Sequence, residues 1–93
     1  MGLSELVIGR VLAADDHPGA RAPSFRLSVD LGGRGTREAS VPASGYERDE
    51  LVGRQVVCSL EGEEALVLGA HSHAQGIVLL RPDRDVEDGS AVA

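Results

Sequence analysis

The sequence contains no lysine and no tryptophan, and its aromatic residues are one phenylalanine and one tyrosine among 93 residues. All nine cationic side chains are therefore arginines, so there is no lysine-rich arm to hold phosphate by charge alone. Two aromatic rings are too few to stack a run of bases along a single strand. These absences argue against indiscriminate binding of single-stranded nucleic acid.

Cysteine is nearly absent as well, since Cys58 is the only one, and this excludes a disulfide within the chain. No apolar run approaches the roughly 18 residues of a membrane span. The first residues lack the basic region and apolar stretch of a signal peptide, so we expect a cytoplasmic protein. The length predicts a single domain over 1–93, with a core at 5–89 and a tail at 90–93.

Charge is unevenly distributed along the chain. The formal net charge is −6, and residues 61–93 contribute two arginines against seven acidic residues. The stretch 17–37 has the opposite balance, with four arginines against Asp30 alone. Any anion-binding surface is therefore expected in that stretch.

Short apolar runs broken by glycine, proline and aspartate predict strands rather than long helices. The runs are 6–14, 25–31, 56–60, 65–70 and 77–80. The run 25–31 alternates apolar and polar residues without a break, which indicates a strand with one buried face. In the first run the alternation breaks at Gly9, which predicts a bulge there, with Leu6 and Ile8 facing inward together with Val11 and Ala13.

Turn residues separate these strands. Residues 15–23 form a predicted loop, and glycines after residue 31 predict a turn before a third strand at 36–41. Ser44 and Glu47 have the spacing of a capping box, and Gly53 lies where a C-terminal cap belongs, which predicts one helix at 46–52. The pattern indicates an all-β protein, a five-stranded Greek-key barrel of the OB-fold type with one short helix.

Four consecutive apolar residues, Ile77, Val78, Leu79 and Leu80, make both faces of the last strand apolar. With so few aromatic residues, the chain has little with which to cover the outer face, so we predict that these four residues form a homodimer interface. Partial exposure at a barrel edge is the alternative.

Four arginines are candidates for a nucleic-acid-binding surface: Arg10, Arg21, Arg26 and Arg37. Guanidinium groups donate forked hydrogen bonds to phosphate and stack on bases, and OB barrels bind ligands on such a face. The alternative is a solvated face on which the arginines pair with Asp30 or Glu38 across strands.

Catalytic, cofactor and metal sites are not predicted. The sequence contains no nucleophile elbow, phosphate-binding P-loop or dinucleotide fingerprint. His71 and His73 lack an acidic or cysteine partner at ligand spacing, so a hairpin loop explains them better than a metal site. Cys58 alternates with Val56 and Leu60, which predicts a buried, inert thiol.

Several segments together resemble one known family. They are ADDHPGARAPSFRLSVDLG, GYERDELVGRQVV, LVLGA and VLLRPDRDVEDG, and the resemblance runs from about Leu6 to Gly89. They are similar to the CsaA-type export chaperones, a single-domain branch of the tRNA-binding OB domains that also occur appended to aminoacyl-tRNA synthetases. The resemblance implies a five-stranded OB barrel, a homodimer formed through the terminal segments and the strand near Ile77, and binding of structured RNA, typically tRNA. The branch is also associated with unfolded or exported polypeptides.

The chain departs from the family pattern after Val57. Where the family has a basic loop and a serine, this chain has a tight acidic turn at 61–64, with Glu63 near the expected serine. Carboxylates there repel phosphate. Three hypotheses therefore stay open: binding of tRNA or another structured RNA, binding of polypeptides through the apolar strand edge, and a scaffold that retains only the dimer.

Overall fold

The computed structural model describes residues 5–19, 21–43 and 45–92. Within these residues the chain forms strands, one α-helix and a 3₁₀ turn at Gly32–Arg34. The elements are β1 (Glu5–Asp16), β2 (Ser24–Asp30), β3 (Thr36–Pro42), α1 (Arg48–Leu51), β4 (Gln55–Glu61), β5 (Glu64–Val67), β6 (Gly69–Ser72) and β7 (Gly76–Leu79).

Five of the strands form one antiparallel sheet in the order β3-β2-β1-β4-β5. The two edge strands, β3 and β5, approach each other and nearly close the sheet into a barrel. Strands β6 and β7 form a separate hairpin. The predicted all-β, five-stranded OB barrel with one short helix is confirmed.

Strand β1 pairs with two neighbours. Its first half, from Glu5 to Arg10, pairs with β4, and its second half, from Arg10 to Asp16, pairs with β2. The register against β2 shifts between Val11 and Ala13, where Leu12 is 49% exposed. This shift lets one long strand serve both halves of the barrel, because a bulge bends a strand and increases its twist.

The predicted bulge at Gly9 is wrong. Val7 and Val11 belong to the buried core cluster, so the inward alternation runs through Gly9 without a break. A Cβ atom at Gly9 would collide with the side chains of Val29 and Leu31. Glycine is therefore explained by close packing against β2 and the residue after it, and not by a change of register.

The alternation predicted for 25–31 is confirmed. Phe25, Leu27 and Val29 are buried, while the residues between them face outward. Across the barrel, Cys58 is fully buried in the same cluster, and burial raises the pKa of its thiol to about 11. The thiol stays protonated near neutral pH, as expected of an inert core cysteine.

The helix is shorter than predicted, Arg48–Leu51 instead of 46–52. Glu47 is the N-cap, and its backbone N–H donates to the side chain of Glu50 at 2.8 Å in a reciprocal capping box. The predicted cap residue Ser44 lies outside the described residues. Gly53, with a φ of +89°, follows the C-cap residue, so the predicted C-terminal end of the helix is nearly right.

The run 65–70 is not one strand, as predicted, but two. Leu68 separates β5 from β6 and turns the chain out of the barrel sheet. Its N–H donates to the carbonyl of Val57 at 2.9 Å, and its carbonyl accepts from the N–H of Leu80 at 2.9 Å. The β6–β7 hairpin is thereby fastened to the start of β4.

The end of the C-terminal segment, residues 81–92, pairs with the chain's own β1. The N–H of Ile8 donates to the carbonyl of Ser90 at 2.8 Å, and the carbonyl of Ile8 accepts from Gly89 at 2.6 Å. Val92 donates to Leu6 at 2.9 Å in the same antiparallel pattern. The end of the segment therefore covers the edge of β1 that β2 leaves free.

This pairing requires glycine where the C-terminal segment crosses the 3₁₀ turn. Gly32 has a φ of +63°, and a Cβ atom there would collide with the carbonyl of Asp88. Gly89 has a φ of +91°, and a Cβ atom there would collide with the carbonyl of Leu31. Backbone therefore packs directly on backbone at this crossing.

We expect Gly32→Ala to destabilise the protein by about 3 kcal/mol, since it adds a steric clash to the cost of a positive φ. Gly53→Ala is the matched control, because Gly53 also has a positive φ but faces open space, and about 1 kcal/mol is expected for it. Urea unfolding measures both free energies. Hydrogen exchange should also show faster exchange of the Ile8 amide in Gly32→Ala; equal losses in the two variants would contradict the packing argument.

Candidate nucleic-acid interface

The four predicted arginines occupy different settings. Arg26 lies on the outer face of β2, between the buried Phe25 and Leu27. Arg37 lies on β3 in the same alternate set as the buried Ala39 and Val41, and therefore on the opposite side of the sheet from Arg26. The structure does not gather the four guanidinium groups on one face.

Arg26 is held between two carboxylates. Its Nε and Nη2 atoms donate to Oε1 of Glu38 at 3.0 and 2.7 Å, and Nη2 also donates to Oε2 of Glu64 at 3.2 Å. These hydrogen bonds, that to Glu38 above all, raise the pKa of Arg26. The Arg26 side chain is 32% exposed, so it remains reachable from solvent although its charge is neutralised locally.

Arg37 reaches from β3 to the turn between β4 and β5. Its Nη1 atom donates to the carbonyl of Gly62 at 2.6 Å. No ion pair joins Arg37 to an acidic residue within the described part of the chain. Arg37 therefore links β3 to the β4–β5 turn at the point where the sheet nearly closes.

Arg10 belongs to a hydrogen-bonded cluster that holds the C-terminal segment. Its Nε atom donates to Asp88 Oδ1 at 3.1 Å, and Nη1 donates to the carbonyl of Gly53 at 2.8 Å. The Nη2 atom lies 3.4 Å from Oδ2 of Asp85. Since Arg10 and Asp88 are 29% and 24% exposed, this pair is less accessible than the other arginine pairs described.

Gln55, which the sequence analysis missed, completes this cluster. It is 4% exposed, its Nε2 atom donates to the carbonyl of Val86 at 2.6 Å and to Asp88 at 2.8 Å, and its Oε1 atom accepts from the Val86 N–H at 3.0 Å. Gln55 is also the partner of Arg10 in the β1–β4 register. No local signal in the sequence relates Gln55 to residues more than 30 positions away.

Arg21 is the predicted residue whose guanidinium remains free. Within the described residues it forms no hydrogen bond or ion pair, and it is exposed. It lines a groove of about 560 Å³ whose other walls are Asp16, His17, Pro18, Ala22, Pro23, Ser24, Phe25 and Ala43. We call this cleft the Arg21 groove.

The loop that carries Arg21 is fastened to the sheet at two points. The N–H of His17 donates to the carbonyl of Ser24 at 3.0 Å, and Nδ1 of His17 lies 3.1 Å from the hydroxyl of Ser40. Ser40 is the β3 partner of Arg26 in the register. The groove therefore adjoins the polar outer face of β2 and β3.

Beside the carboxylates of Asp16, Glu38 and Glu64, the groove and this face offer a guanidinium, an imidazole and hydroxyls, which are donors suited to phosphate and ribose. Neither Phe25 nor Tyr46 adds a stacking surface to the groove: Phe25 is 8% exposed, and Tyr46 does not line it. The chemistry favours contacts to a backbone of defined shape over base stacking.

The acidic turn between β4 and β5 places Glu64, rather than Glu63, beside Arg26. Gly62 has a φ of +61° and is followed by a residue of negative φ, as in a two-residue type II′ hairpin. Glu64 opens β5 and alternates with the buried Ala65, so its side chain faces outward. The outward position of Glu64 could have been predicted from the sequence, because Gly62 marks the turn and Glu64 directly precedes the apolar Ala65.

The predicted dimer residues are only partly exposed within one chain. Ile77, Val78 and Leu79 are of intermediate burial, and Leu79 packs against the core. Leu80 is 41% exposed. Leu66 at 52% and Val92 at 40% exposure are further exposed apolar side chains.

Two histidines lie in the β6–β7 hairpin. His71 pairs with Ile77 in the β6–β7 hairpin, and His73 lies in its turn. No group of three potential metal ligands occurs among the residues that the structure describes. Over the same residues, no helix has the length and hydropathy that a membrane crossing needs.

Known proteins are similar to this chain in sequence or in fold. A methionine–tRNA ligase from Methanoregula boonei is 32% identical over 94 residues, which is 95% of this chain. The crystal structure of chaperone CsaA from Bacillus anthracis str. Ames is 30% identical, with a TM-score of 0.86, and the match covers 97% of this chain and 91% of that one. The chain belongs to the CsaA family.

A second CsaA chaperone, from Picrophilus torridus, has a TM-score of 0.89 at 26% identity, covering 97% of this chain and 92% of its own. No family model matches the sequence. This CsaA-family chain spans only 14% to 15% of the length of the methionine–tRNA ligases that it matches.

Because Arg10 fastens the C-terminal segment of this CsaA-family chain, we expect Arg10→Ala to lower the free energy of unfolding by about 1–2 kcal/mol, leaving Asp88 partly buried without its cation. Arg34→Ala, which removes a more exposed pair with Glu5, is the control and should cost under about 1 kcal/mol. Limited proteolysis should cut the C-terminal segment faster in Arg10→Ala. Equal cleavage of the two variants would show that the cluster does not hold the segment.

Proposed function

We propose that this chain is a non-enzymatic, homodimeric barrel of the CsaA type that binds tRNA or another structured RNA in the cytoplasm. Family membership and the ligase match support a tRNA-binding or chaperone-like role.

One observation carries the RNA part of the proposal. Three methionine–tRNA ligases each contain a segment that matches 95% of this chain. The substrate of such an enzyme is a folded RNA, and a module of barrel size within it is well suited to hold that RNA. We carry the same ligand class over to this chain.

We place the RNA contact at the Arg21 groove and on the adjoining outer face of β2 and β3. Arg21 supplies the free guanidinium, and Arg26 lies on the neighbouring polar face. Arg10 and Arg37 were predicted to join this surface, but their hydrogen bonds to Asp88 and Gly62 favour roles in holding the fold. The proposed ligand is recognised by its phosphates and shape, since the face offers hydrogen-bond donors while the Phe25 ring is buried.

The first test is the affinity for bulk tRNA in low salt. Arg21→Ala should weaken binding about three- to tenfold, because one phosphate contact and its counterion release are lost. The dissociation constant should also rise steeply with salt for the unmodified protein. Fluorescence anisotropy at two salt concentrations measures both effects.

Arg84→Ala is the matched control for this test. It removes the same charge, and Arg84 is 87% exposed and, among the described residues, paired only with its neighbour Asp83. Less than a twofold change is expected for it, roughly the effect of a distant charge. Absence of salt-dependent binding to any folded RNA, or equal losses in the two variants, would refute the RNA proposal.

We further propose that two copies associate through Ile77, Val78, Leu79 and Leu80. Leu66 and Val92 are further exposed apolar residues, and exposed apolar area on so small a domain favours burial against a second subunit. A dimer presents two Arg21 grooves, so two modest contacts would gain affinity by avidity.

Leu80→Glu should shift the protein to a monomer, since a carboxylate in an apolar interface loses its hydration. Val52→Glu is the control, because Val52 is 46% exposed on the helix C-cap, outside the proposed interface. Sedimentation equilibrium at micromolar concentration measures both. A parent protein that is already monomeric would contradict the dimer.

A monomeric parent protein would favour a second candidate function, polypeptide binding, because Leu66, Leu80 and Val92 would then be left exposed. The name of the CsaA relatives, chaperone, points the same way. In this case suppression of the aggregation of a denatured test protein should be lost in Leu80→Glu and retained in Arg21→Ala. Absence of both RNA binding and suppression would leave only the scaffold hypothesis.

A further inference from the structure

The near-closure of the barrel brings three charged side chains from three strands together. Arg26 leaves the outer face of β2, Glu38 lies on the outer face of β3 next to it, and Glu64 opens β5 on the far side of the gap between the edge strands. Arg26 reaches across β3 and hydrogen-bonds to both carboxylates. Two carboxylates thus surround the guanidinium on the face where the proposed RNA contact lies.

The hydrogen bonds of Arg26 reduce its donor capacity for a ligand. Nε and Nη2 are directed at Glu38, and Nη2 is shared with Glu64, so each forked donor pair of the guanidinium, Nε–Nη2 and Nη1–Nη2, already contains an occupied atom. The higher pKa of Arg26 agrees with this neutralisation. The two carboxylates therefore repel a phosphate that approaches Arg26.

The carboxylates are nevertheless displaceable. Glu38 and Glu64 are 63% and 64% exposed, so each remains largely hydrated and can rotate into water without burying an unpaired charge. Occupation of Arg26 is then an exchange, in which an incoming phosphate must replace carboxylates that are always present at the site.

We propose that Glu38 and Glu64 are internal competitors for Arg26 and determine which anions this face of the chain accepts. Single phosphates lose the exchange, whereas a polyanion that is also held at Arg21 wins it because its further phosphates act at high effective concentration. This inference rests on the proposed RNA contact and adds the selectivity of that same site.

The test is a double-mutant cycle. The variant Glu38→Gln/Glu64→Gln keeps the size of both side chains and removes the competing charges. Glu63→Gln/Glu87→Gln is the control, since it changes the net charge equally, and Glu63 lies in the same acidic turn without a hydrogen bond or ion pair to Arg26. Arg26→Ala is then added to the parent protein and to both double variants.

The affinity of each protein for bulk tRNA is measured over a range of salt. We expect Glu38→Gln/Glu64→Gln to bind about tenfold more tightly than the control, with a salt slope steeper by roughly 0.7–0.9, because its phosphate contact at Arg26 no longer has to be exchanged for carboxylates. Arg26→Ala should cancel this gain in the Glu38→Gln/Glu64→Gln protein. In the parent and the control Arg26→Ala should weaken binding by only about twofold, because there the phosphate contact merely replaces the contacts to Glu38 and Glu64.

The salt concentration at which each variant elutes from a heparin column repeats the cycle with a second polyanion. A failure of this inference can then be distinguished from a failure of the proposed RNA binding. If no variant binds tRNA, the RNA proposal fails, and the heparin cycle still decides the role of the carboxylates. Equal gains in the test and control variants, or a gain that survives Arg26→Ala, would overturn the inference with either probe. Circular dichroism confirms folding, and the two single variants replace the double variant if it unfolds.

Discussion

Strand β1 is shared by both halves of the barrel, and this sharing is the constraint on which the rest of the structure depends. It pairs with β4 up to Arg10 and with β2 from Arg10 onward, so Arg10 is the one residue that belongs to both registers. A strand in this position must bend, and it does so at the register shift between Val11 and Ala13. Gly9 lets β2 pack closely just before the bend. The free edge of the first half is covered by the C-terminal segment.

A chain with two aromatic residues and a small core has few large side chains with which to hold distant elements together, and it uses arginine for that purpose. The guanidinium of Arg10 joins β1, the end of α1 and the C-terminal segment. Arg26 and Arg37 join β2 and β3 to the far edge of the sheet. A guanidinium has a fixed number of donors, so each such bond leaves fewer donors for a ligand. The number of arginines in the sequence therefore overstates the cationic surface that is available.

The sequence predicted those features that depend on local periodicity. Strand β2 was assigned correctly because Phe25, Leu27 and Val29 alternate without a break, and the barrel followed from the number and spacing of the strands. Gly9 was misinterpreted because glycine marks both bulges and close packing, and only the position of Val29 decides between them.

The candidate site was less predictable than the fold. The sequence contained the evidence that Arg37 faces inward, because Arg37, Ala39 and Val41 occupy alternate positions of one strand. The cluster of Arg10 with Gln55 and Asp88, by contrast, depends on contacts between residues far apart in sequence. A charge count over 17–37 does not show which carboxylates from elsewhere in the chain neutralise which arginines. The pairing of Arg26 with Glu64 becomes clear only in the folded structure, where closure of the sheet brings β5 near β2.

The residues that hold the barrel and those that face the proposed ligand form nearly separate sets. Gly32, Gly89 and Gln55 hold the C-terminal segment by backbone contact and buried hydrogen bonds. Arg21, Glu38 and Glu64 lie on exposed positions, where substitutions alter charge with little effect on packing. A barrel built in this way can exchange one ligand face for another without a change of fold. The match of one chain both to chaperones and to a segment of a tRNA ligase is therefore physically reasonable, because the fold is shared while the face determines what is bound.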